Sequence, residues 1–533
     1  IKPSYFPKTK TSSFQNNPTS PKVFSRLWSL HKPFAGSKFQ FRYRLFRGAH
    51  RIGRISSPNA HLYLEKSHSI TTQNMSETQV KARFFTKEDD ETLHASDAPL
   101  FVPTLLKRYG LLEVVNHLLD REDAVPFDFL IDGVLLRTSL DEYLTRHGLS
   151  AEATLLIEYT RAVLPPLFLA SYNDEDWVSS IDTINQSLKA VTAQRGAELA
   201  APQILAGSYD GVVRSYNMLG QVETQYVGHQ AAVRAVKWVY ANRIVSAGND
   251  RQIRLWKTKG ASVGAGDDDE GDDETENART LAVLDAHKAP VVALAVNQQS
   301  QRILSAGADG VVGLWLTVPK DMHVVEPWAA ESSGAGNSSA AKKRRKMALR
   351  DSGVKHRAPL ALLELHLQPV EGVVFDEFDS SVAYSVSQDH TVKTWDLVTL
   401  RCVDTRSTGY ALLSVLQLPA VNLIASGSLA RHINLHDPRT HAGATDLHVT
   451  KLTGHTNFVV DLAACPTKDT MFASASHDGT VKVWDVRADK CMYTVTRESK
   501  SGKVFGVAWD KEIGIVSGGE DKKVQINSSP AQS

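Results

Sequence analysis

Beyond Pro165 one unit of about 40 residues recurs seven times, and a repeat of that period decides the architecture before any other feature is weighed. The copies are Ile204–Tyr216, Ile244–Trp256, Ile303–Trp315, Ala383–Trp395, Ile424–His436, Phe472–Trp484 and Ile515–Asn527. The cleanest contains Ser474-Ala475-Ser476-His477-Asp478-Gly479-Thr480-Val481-Lys482-Val483-Trp484-Asp485. A strand ends, an aspartate opens a tight turn, and a second alternating strand ends in Trp-Asp. The turn aspartate stands six residues before the aromatic in five copies: Asp210, Asp250, Asp309, Asp389 and Asp478. The seventh keeps Asp521 but ends in Asn527, and the fifth has Ala430 and His436. His229, His287, His366 and His455 lie 21–23 residues ahead of the turn aspartates, with short strands such as Val233–Val239 and Val459–Ala464 in between.

Four strands per unit with this signature resemble the WD-repeat family over residues 165–527, which implies a mainly β fold, a seven-bladed propeller. In that family the loop histidine meets the turn aspartate, and a strand serine passes the hydrogen bond on to the tryptophan indole. Four complete sets are expected here: His229, Ser246, Asp250 and Trp256; His287, Ser305, Asp309 and Trp315; His366, Ser385, Asp389 and Trp395; and His455, Ser474, Asp478 and Trp484. Such networks satisfy buried polar groups, so these residues are expected to be structural and not a catalytic pair. A propeller must also close, because an open ring leaves unpaired strand edges. The seventh copy has no room for a fourth strand, so Pro166–Ser171 is expected to supply it, and Asp176–Ile181 to be the inner strand of the first copy.

Ahead of the repeats, residues 77–163 have the pattern of a small α+β roll. Val80–Phe85 alternates as a half-buried strand, and Leu93–Pro103 contains a second. Thr104–Leu119 spaces its apolar residues as an amphipathic helix with Thr104 as N-cap. Phe127–Ile131 and Leu135-Leu136 form a hairpin about Asp132-Gly133. A short helix in Leu140–Leu149 and a strand at Thr154–Thr160 complete a ubiquitin-like domain.

Charge marks off what remains. The chain has 60 basic and 59 acidic residues, yet residues 1–74 contain thirteen Lys or Arg and one acid, Glu65. From Met75 onward the balance is therefore 47 basic to 58 acidic. Residues 1–76 show no folding pattern and admit three readings: sequence upstream of a natural start at Met75, an RNA-binding arm in which arginines alternate with rings (Phe41-Arg42-Tyr43-Arg44), or an Arg- and Ser-rich transit segment. Two inserts, about 260–279 and 320–358, are expected to be disordered. The first contains the acidic run Asp267–Glu276 and the second Lys342, Lys343, Arg344, Arg345 and Lys346, a candidate nuclear address. No apolar run approaches the length of a membrane span, so no membrane partner is expected. Cys402, Cys465 and Cys491 form neither a disulfide framework nor a zinc site.

The sequence lacks a phosphate-binding Gly-x-x-x-x-Gly-Lys, a His-Glu-x-x-His and a Gly-x-Ser-x-Gly elbow, so a docking scaffold is favoured over an enzyme. Gln79–Phe85, Leu105–Leu111, Pro126–Ile131, Leu135–Leu140 and Gly148–Ala153 resemble the NLE-type ubiquitin-like domain. With the propeller, residues 77–527 resemble the NLE-domain WD-repeat ribosome-biogenesis factors that partner pescadillo and the block-of-proliferation protein. Notchless is a relative with a larger propeller. The resemblance implies an assembly factor of the large ribosomal subunit, acting in the nucleolus and nucleoplasm on the pre-ribosome. In that family the adhesion site of midasin, a giant AAA ATPase, grips the ubiquitin-like domain. The family's critical acid falls on Glu152, a ligand in trans to the Mg²⁺ of midasin, and the chain needs no cofactor of its own. A hard cation in an incomplete octahedron accepts one such carboxylate oxygen. Glu158 and Asp141 are the nearest competitors. Two rival readings are a cullin ubiquitin-ligase receptor, through Trp484-Asp485-Val486-Arg487, and direct RNA contact through the basic segments.

Overall fold

The computed structural model describes residues 78–528 apart from 89, 97, 121–123, 151, 153, 185–201, 259–277, 326–352, 440–449 and 499–501. Residues 1–76, the acidic run and Lys342–Lys346 lie outside the described residues.

The N-terminal domain is built on a five-stranded sheet: β1 (Gln79–Phe85), β2 (Leu100–Pro103), β3 (Phe127–Ile131), β4 (Val134–Leu135) and β5 (Leu155–Arg161), in the order β2-β1-β5-β3-β4. β1 and β5 are parallel and the other pairs antiparallel. Val80, Ala82, Phe84, Phe129, Ile157 and Tyr159 pack as one core with Leu111 and Val115 of helix α1 (Arg108–Leu118). Asp132 and Gly133 both have positive φ, the geometry of the two-residue turn that matches strand twist. Helix α2 (Leu140–His147) is capped by Ser139, whose hydroxyl accepts from Glu142 N–H, and ends on Gly148 in the left-handed region.

Three local expectations need correction. The helix starts at Arg108 with Lys107 as N-cap, not at Thr104, which is buried and whose backbone joins Thr78 and Asp141. Tertiary hydrogen bonds thus take Thr104 out of the helix. Only Leu100–Pro103 of the second strand region forms, preceded by one 3₁₀ turn at Glu91–Leu93. The insert from 320 to 358 is regular at both ends. Val324–Val325 and His356–Arg357 pair with each other, and the latter pairs with Val283–Leu284, because the free edge of that outer strand accepts another ladder.

The repeats form seven sheets. Blade 1 runs outward through Val178–Ile184, Gln203–Ser208, Val212–Tyr216 and Val222–Val227; its inner strand begins two residues later than the sequence pattern suggested. Blade 2 starts at Val233–Tyr240 and carries the two added strands, blade 3 at Val291–Asn297, blade 4 at Val370–Phe375 and blade 5 at Leu412–Leu418. Blade 6 comprises Val459–Ala464, Met471–Ser476, Thr480–Asp485 and Tyr493–Thr496. Blade 7 has Val504–Asp510, Gly514–Gly519 and Lys523–Ser528, and its outer strand is β6 (Leu167–Asn173), antiparallel to Lys523–Ser528. The ring is thus closed by a strand from before the first copy. Inner strands also bind their neighbours: Trp238 N–H donates to Asp182 at 2.7 Å and Val507 N–H to Asp461 at 2.9 Å.

Candidate interaction sites

In blades 2, 3, 4 and 6 the structure brings together every member of the four expected sets. Trp256 Nε1 lies 2.8 Å from Ser246 Oγ, which lies 2.7 Å from His229 Nε2, and His229 Nδ1 lies 2.8 Å from Asp250. Ser305, Ser385 and Ser474 make the equivalent contacts. An indole can only donate, so the serine oxygen accepts from tryptophan and gives its one proton to Nε2; the Nδ1 proton then points to the aspartate. Burial alone would push these carboxyls up. Donors from histidine, backbone N–H groups and, for Asp389 and Asp478, the Thr391 and Thr480 hydroxyls outweigh it, holding Asp250, Asp309 and Asp478 below the usual range and Asp389 down to about 2. His366 is driven down by its burial, despite Asp389. Each serine is fully buried and already holds the indole proton of its own blade, so these hydrogen bonds tie loop, turn and strands together and the set is a blade clasp.

The other blades solve the same problem differently. In blade 5, His436 stands where tryptophan would, 2.9 Å from Ser426 Oγ. In blade 1, Tyr216 and Arg214 converge on Asp174 at 2.9 and 2.6 Å, and Arg214 also binds Asp210. In blade 7 an arginine replaces the histidine: buried Arg497 donates to Ser517 Oγ at 2.9 Å and to both carboxylate oxygens of Asp521. The histidine pattern does not extend to this blade. The signal was present, since Arg497 precedes Asp521 by 24 residues, one more than the longest His-to-Asp interval.

Adjacent strands in a blade run in opposite directions, so its loops emerge at two ends. At one end, Trp177, Tyr209, Phe505, His477 and Phe458 form a chain of rings with centroids 5.4–6.0 Å apart across blades 1, 7 and 6. Trp177 and Phe458 are more than a third exposed. Arg234 donates to the Tyr209 hydroxyl at 2.8 Å. Composition gave no hint of this surface, because its rings come from four separate loops and a strand end.

At the opposite end blade 6 carries the N-terminal domain. Leu130 and Leu135 pack on Ala488 and Met492, and Leu135 N–H donates to the Arg487 carbonyl at 2.9 Å. The Arg487 guanidinium is held by Asp485 at 2.9–3.0 Å. The arginine on which the cullin reading depends is therefore engaged inside the chain.

Glu152 lies in the exposed turn before β5, its N–H donating to Ser150 Oγ at 3.2 Å. Among the described residues no donor or cation meets its carboxylate. Glu158, by contrast, is largely buried and paired with Lys87 at 2.7 Å. Asp141 is exposed in the first turn of α2. No cluster of three or more metal-ligating side chains occurs among the described residues.

The family of NLE (NUC135) domains matches residues 80–144, and that of the WD domain, G-beta repeat, matches 220–257, 278–315 and 447–485. The ribosome biogenesis protein YTM1 of Scheffersomyces stipitis is 61% identical over 461 residues, covering 84% of this chain and 97% of its own. This chain belongs to the YTM1 family of ribosome biogenesis proteins. Family members from Candida albicans (60% identical; 86% of this chain, 98% of theirs) and Kluyveromyces lactis (55%; 84% and 97%) agree. The solved WD40 β-propeller domain of Doa1 covers 70% of this chain and 98% of its own, at 16% identity and a TM-score of 0.48; the fold assignment rests on the strand pairings. Family and fold together place the chain among scaffold-type factors associated with pre-ribosomes, with a nuclear role. No helix among the described residues is long and apolar enough to cross a membrane.

Proposed function

We propose that this protein is a non-enzymatic, two-ended adapter in large-subunit biogenesis and pre-rRNA processing, acting in the nucleolus and nucleoplasm. The observation that carries the reading is the separation of its two surfaces. The ring-lined end of blades 6, 7 and 1 is open, while the opposite end of blade 6 holds the ubiquitin-like domain with Glu152 exposed. The aromatic end receives the block-of-proliferation protein and, through it, pescadillo. Desolvated aromatic anchors beside an arginine are the residue types that dominate protein interfaces. Glu152 is the one carboxylate offered to the Mg²⁺ of the midasin adhesion site, and the chain brings no cofactor of its own. Midasin's ATP-driven pull then passes through this chain to its propeller-bound partners and removes them from the pre-ribosome.

The test is binding of the full chain to the purified adhesion domain in Mg²⁺. Glu152→Ala and Glu152→Asp are expected to lose binding at least about 100-fold, the latter because a carboxylate one methylene shorter does not reach. Both variants are expected to keep the block-of-proliferation protein. An Ala variant that binds the adhesion domain normally would end this reading. On the other surface, Trp177→Ala with Phe505→Ala is expected to lose the block-of-proliferation protein while adhesion-domain binding stays normal.

A further inference from the structure

A pull on the ubiquitin-like domain that travelled only along the backbone would enter the ring at its non-covalent seam. The chain leaves β5, crosses Ala162–Pro166 and becomes β6, the strand that closes blade 7. The entry end of β6 is thinly held. Leu167, Phe168 and Leu169 are 60%, 53% and 56% exposed, and a register shift between Ile526 and Asn527 breaks the ladder beside Phe168. Only farther along do Ala170 and Tyr172 pack on the cluster of Val178, Ile181, Val524 and Ile526. Tension arriving at Leu167 would load the ladder one pair at a time from its weakest end.

The contact with blade 6 lies upstream of that point. Tyr493 OH donates to the Val163 carbonyl at 2.7 Å, and Lys468 Nζ donates to the Arg161 carbonyl. They hold the end of β5 and the connecting segment before the chain reaches Leu167. Beside them, Leu130 and Leu135 are buried against Ala488, and the Leu135 N–H binds the Arg487 carbonyl. Blade 6 is made of four strands consecutive in sequence, so it has no seam to open. We propose that this seat diverts traction from the closing strand into blade 6, so that the ring survives being pulled by its N-terminal domain. The source of traction rests on the function proposed above; the mechanical property does not.

The full chain is to be held in an optical trap by azide-bearing residues at position 152 and at exposed Gln299 of blade 3. Ala488→Glu places a carboxylate against Leu130 and Leu135; Tyr493→Phe removes one clamp and leaves the packing. Both residues belong to blade 6, whereas β6 belongs to blade 7. At fixed load the rate of the first opening step is expected to rise about tenfold in Ala488→Glu and less, in the same direction, in Tyr493→Phe, forced opening being rate-governed. A disulfide between Leu167→Cys and Ser528→Cys, partners in the antiparallel register, has a Cα separation within reach of such a bond and is expected to suppress the step. Equal opening rates in parent and seat variants, or an opening step that the disulfide leaves unchanged, would overturn the proposal. Should Ala488→Glu fail to fold, Tyr493→Phe decides. Adhesion-domain binding is measured separately on the parent chain; its absence would sink the functional reading and leave the trap result standing.

Discussion

Replacing Arg497 tests whether blade 7 uses a guanidinium where its neighbours use imidazole. Its side chain is 3% exposed and that of Asp521 is 9% exposed. The guanidinium donates to the Ser517 carbonyl and hydroxyl, both Asp521 oxygens and the Lys523 carbonyl. Arg497→Met keeps much of the packing but strips a buried carboxylate of its counter-charge, a loss of about 3–5 kcal/mol. For a chain of this size that corresponds to a fall in Tm of roughly 3–5 °C. Adding Asp521→Asn removes the charge that the first change abandoned, and should recover about half of the loss. Arg497→His should cost only about 1–2 kcal/mol, since an imidazole can bond serine and aspartate together, as it does in four other blades. Denaturant unfolding followed by tryptophan fluorescence measures all three, and amide exchange at Val516–Gly518 and Lys523–Gln525 localises the effect. A Met variant within about 1 kcal/mol of the parent, or a His variant no better than Met, would refute the reasoning.

Ser474→Ala leaves the buried Trp484 N–H and His455 Nε2 without their shared partner and should cost about 2–4 kcal/mol; adding Trp484→Phe, which removes the indole donor, should then cost less than it does in the parent, as a double-mutant cycle will show. The clasp aspartates have carboxyls lowered in the folded state, so their stabilisation is complete above pH 4 and is lost as pH falls, for Asp389 towards about 2. Acid titration of stability should therefore steepen below pH 4, and Asp389→Asn should remove about 1–2 kcal/mol of that dependence. Asp461 works in the opposite direction: burial raises it to about 6, so its ionisation lowers stability as pH rises from about 4 to 6, and Asp461→Asn should flatten that window.

How much was legible depended on whether a signal was local. The four complete clasps were readable because serine, aspartate and tryptophan sit at fixed offsets on two adjacent strands, and strand geometry turns those offsets into contacts. β6 was readable as the closing strand by arithmetic, since the seventh copy lacked a fourth strand. Arg497 escaped because a different side chain performs the same hydrogen-bonding task at nearly the same spacing. Thr104 misled because helix-capping chemistry is local, whereas its backbone was claimed by Thr78 and Asp141. The seat on blade 6 had no signature at all. Ala488, Met492 and Leu135 are ordinary residues whose meaning comes only from meeting across more than 350 positions of chain. The separate loops and strand end that deliver Trp177, Tyr209 and Phe505 to one end are likewise brought together by ring closure.

The pinned ends of the long insert also affect how the chain tolerates added length. Val324 faces Arg357 and Val325 faces His356, so the backbone departs from blade 2 and returns to it at the same spot. His356–Arg357 is in turn keyed to Val283–Leu284, which gives the returning strand a partner in blade 2. Closing such a gap costs only about 0.6 kcal/mol for each doubling of its length. Blade 2 therefore has a socket in which evolution, or an engineer, can splice a tag, a reporter or a whole foreign domain while the seven-bladed ring keeps its register.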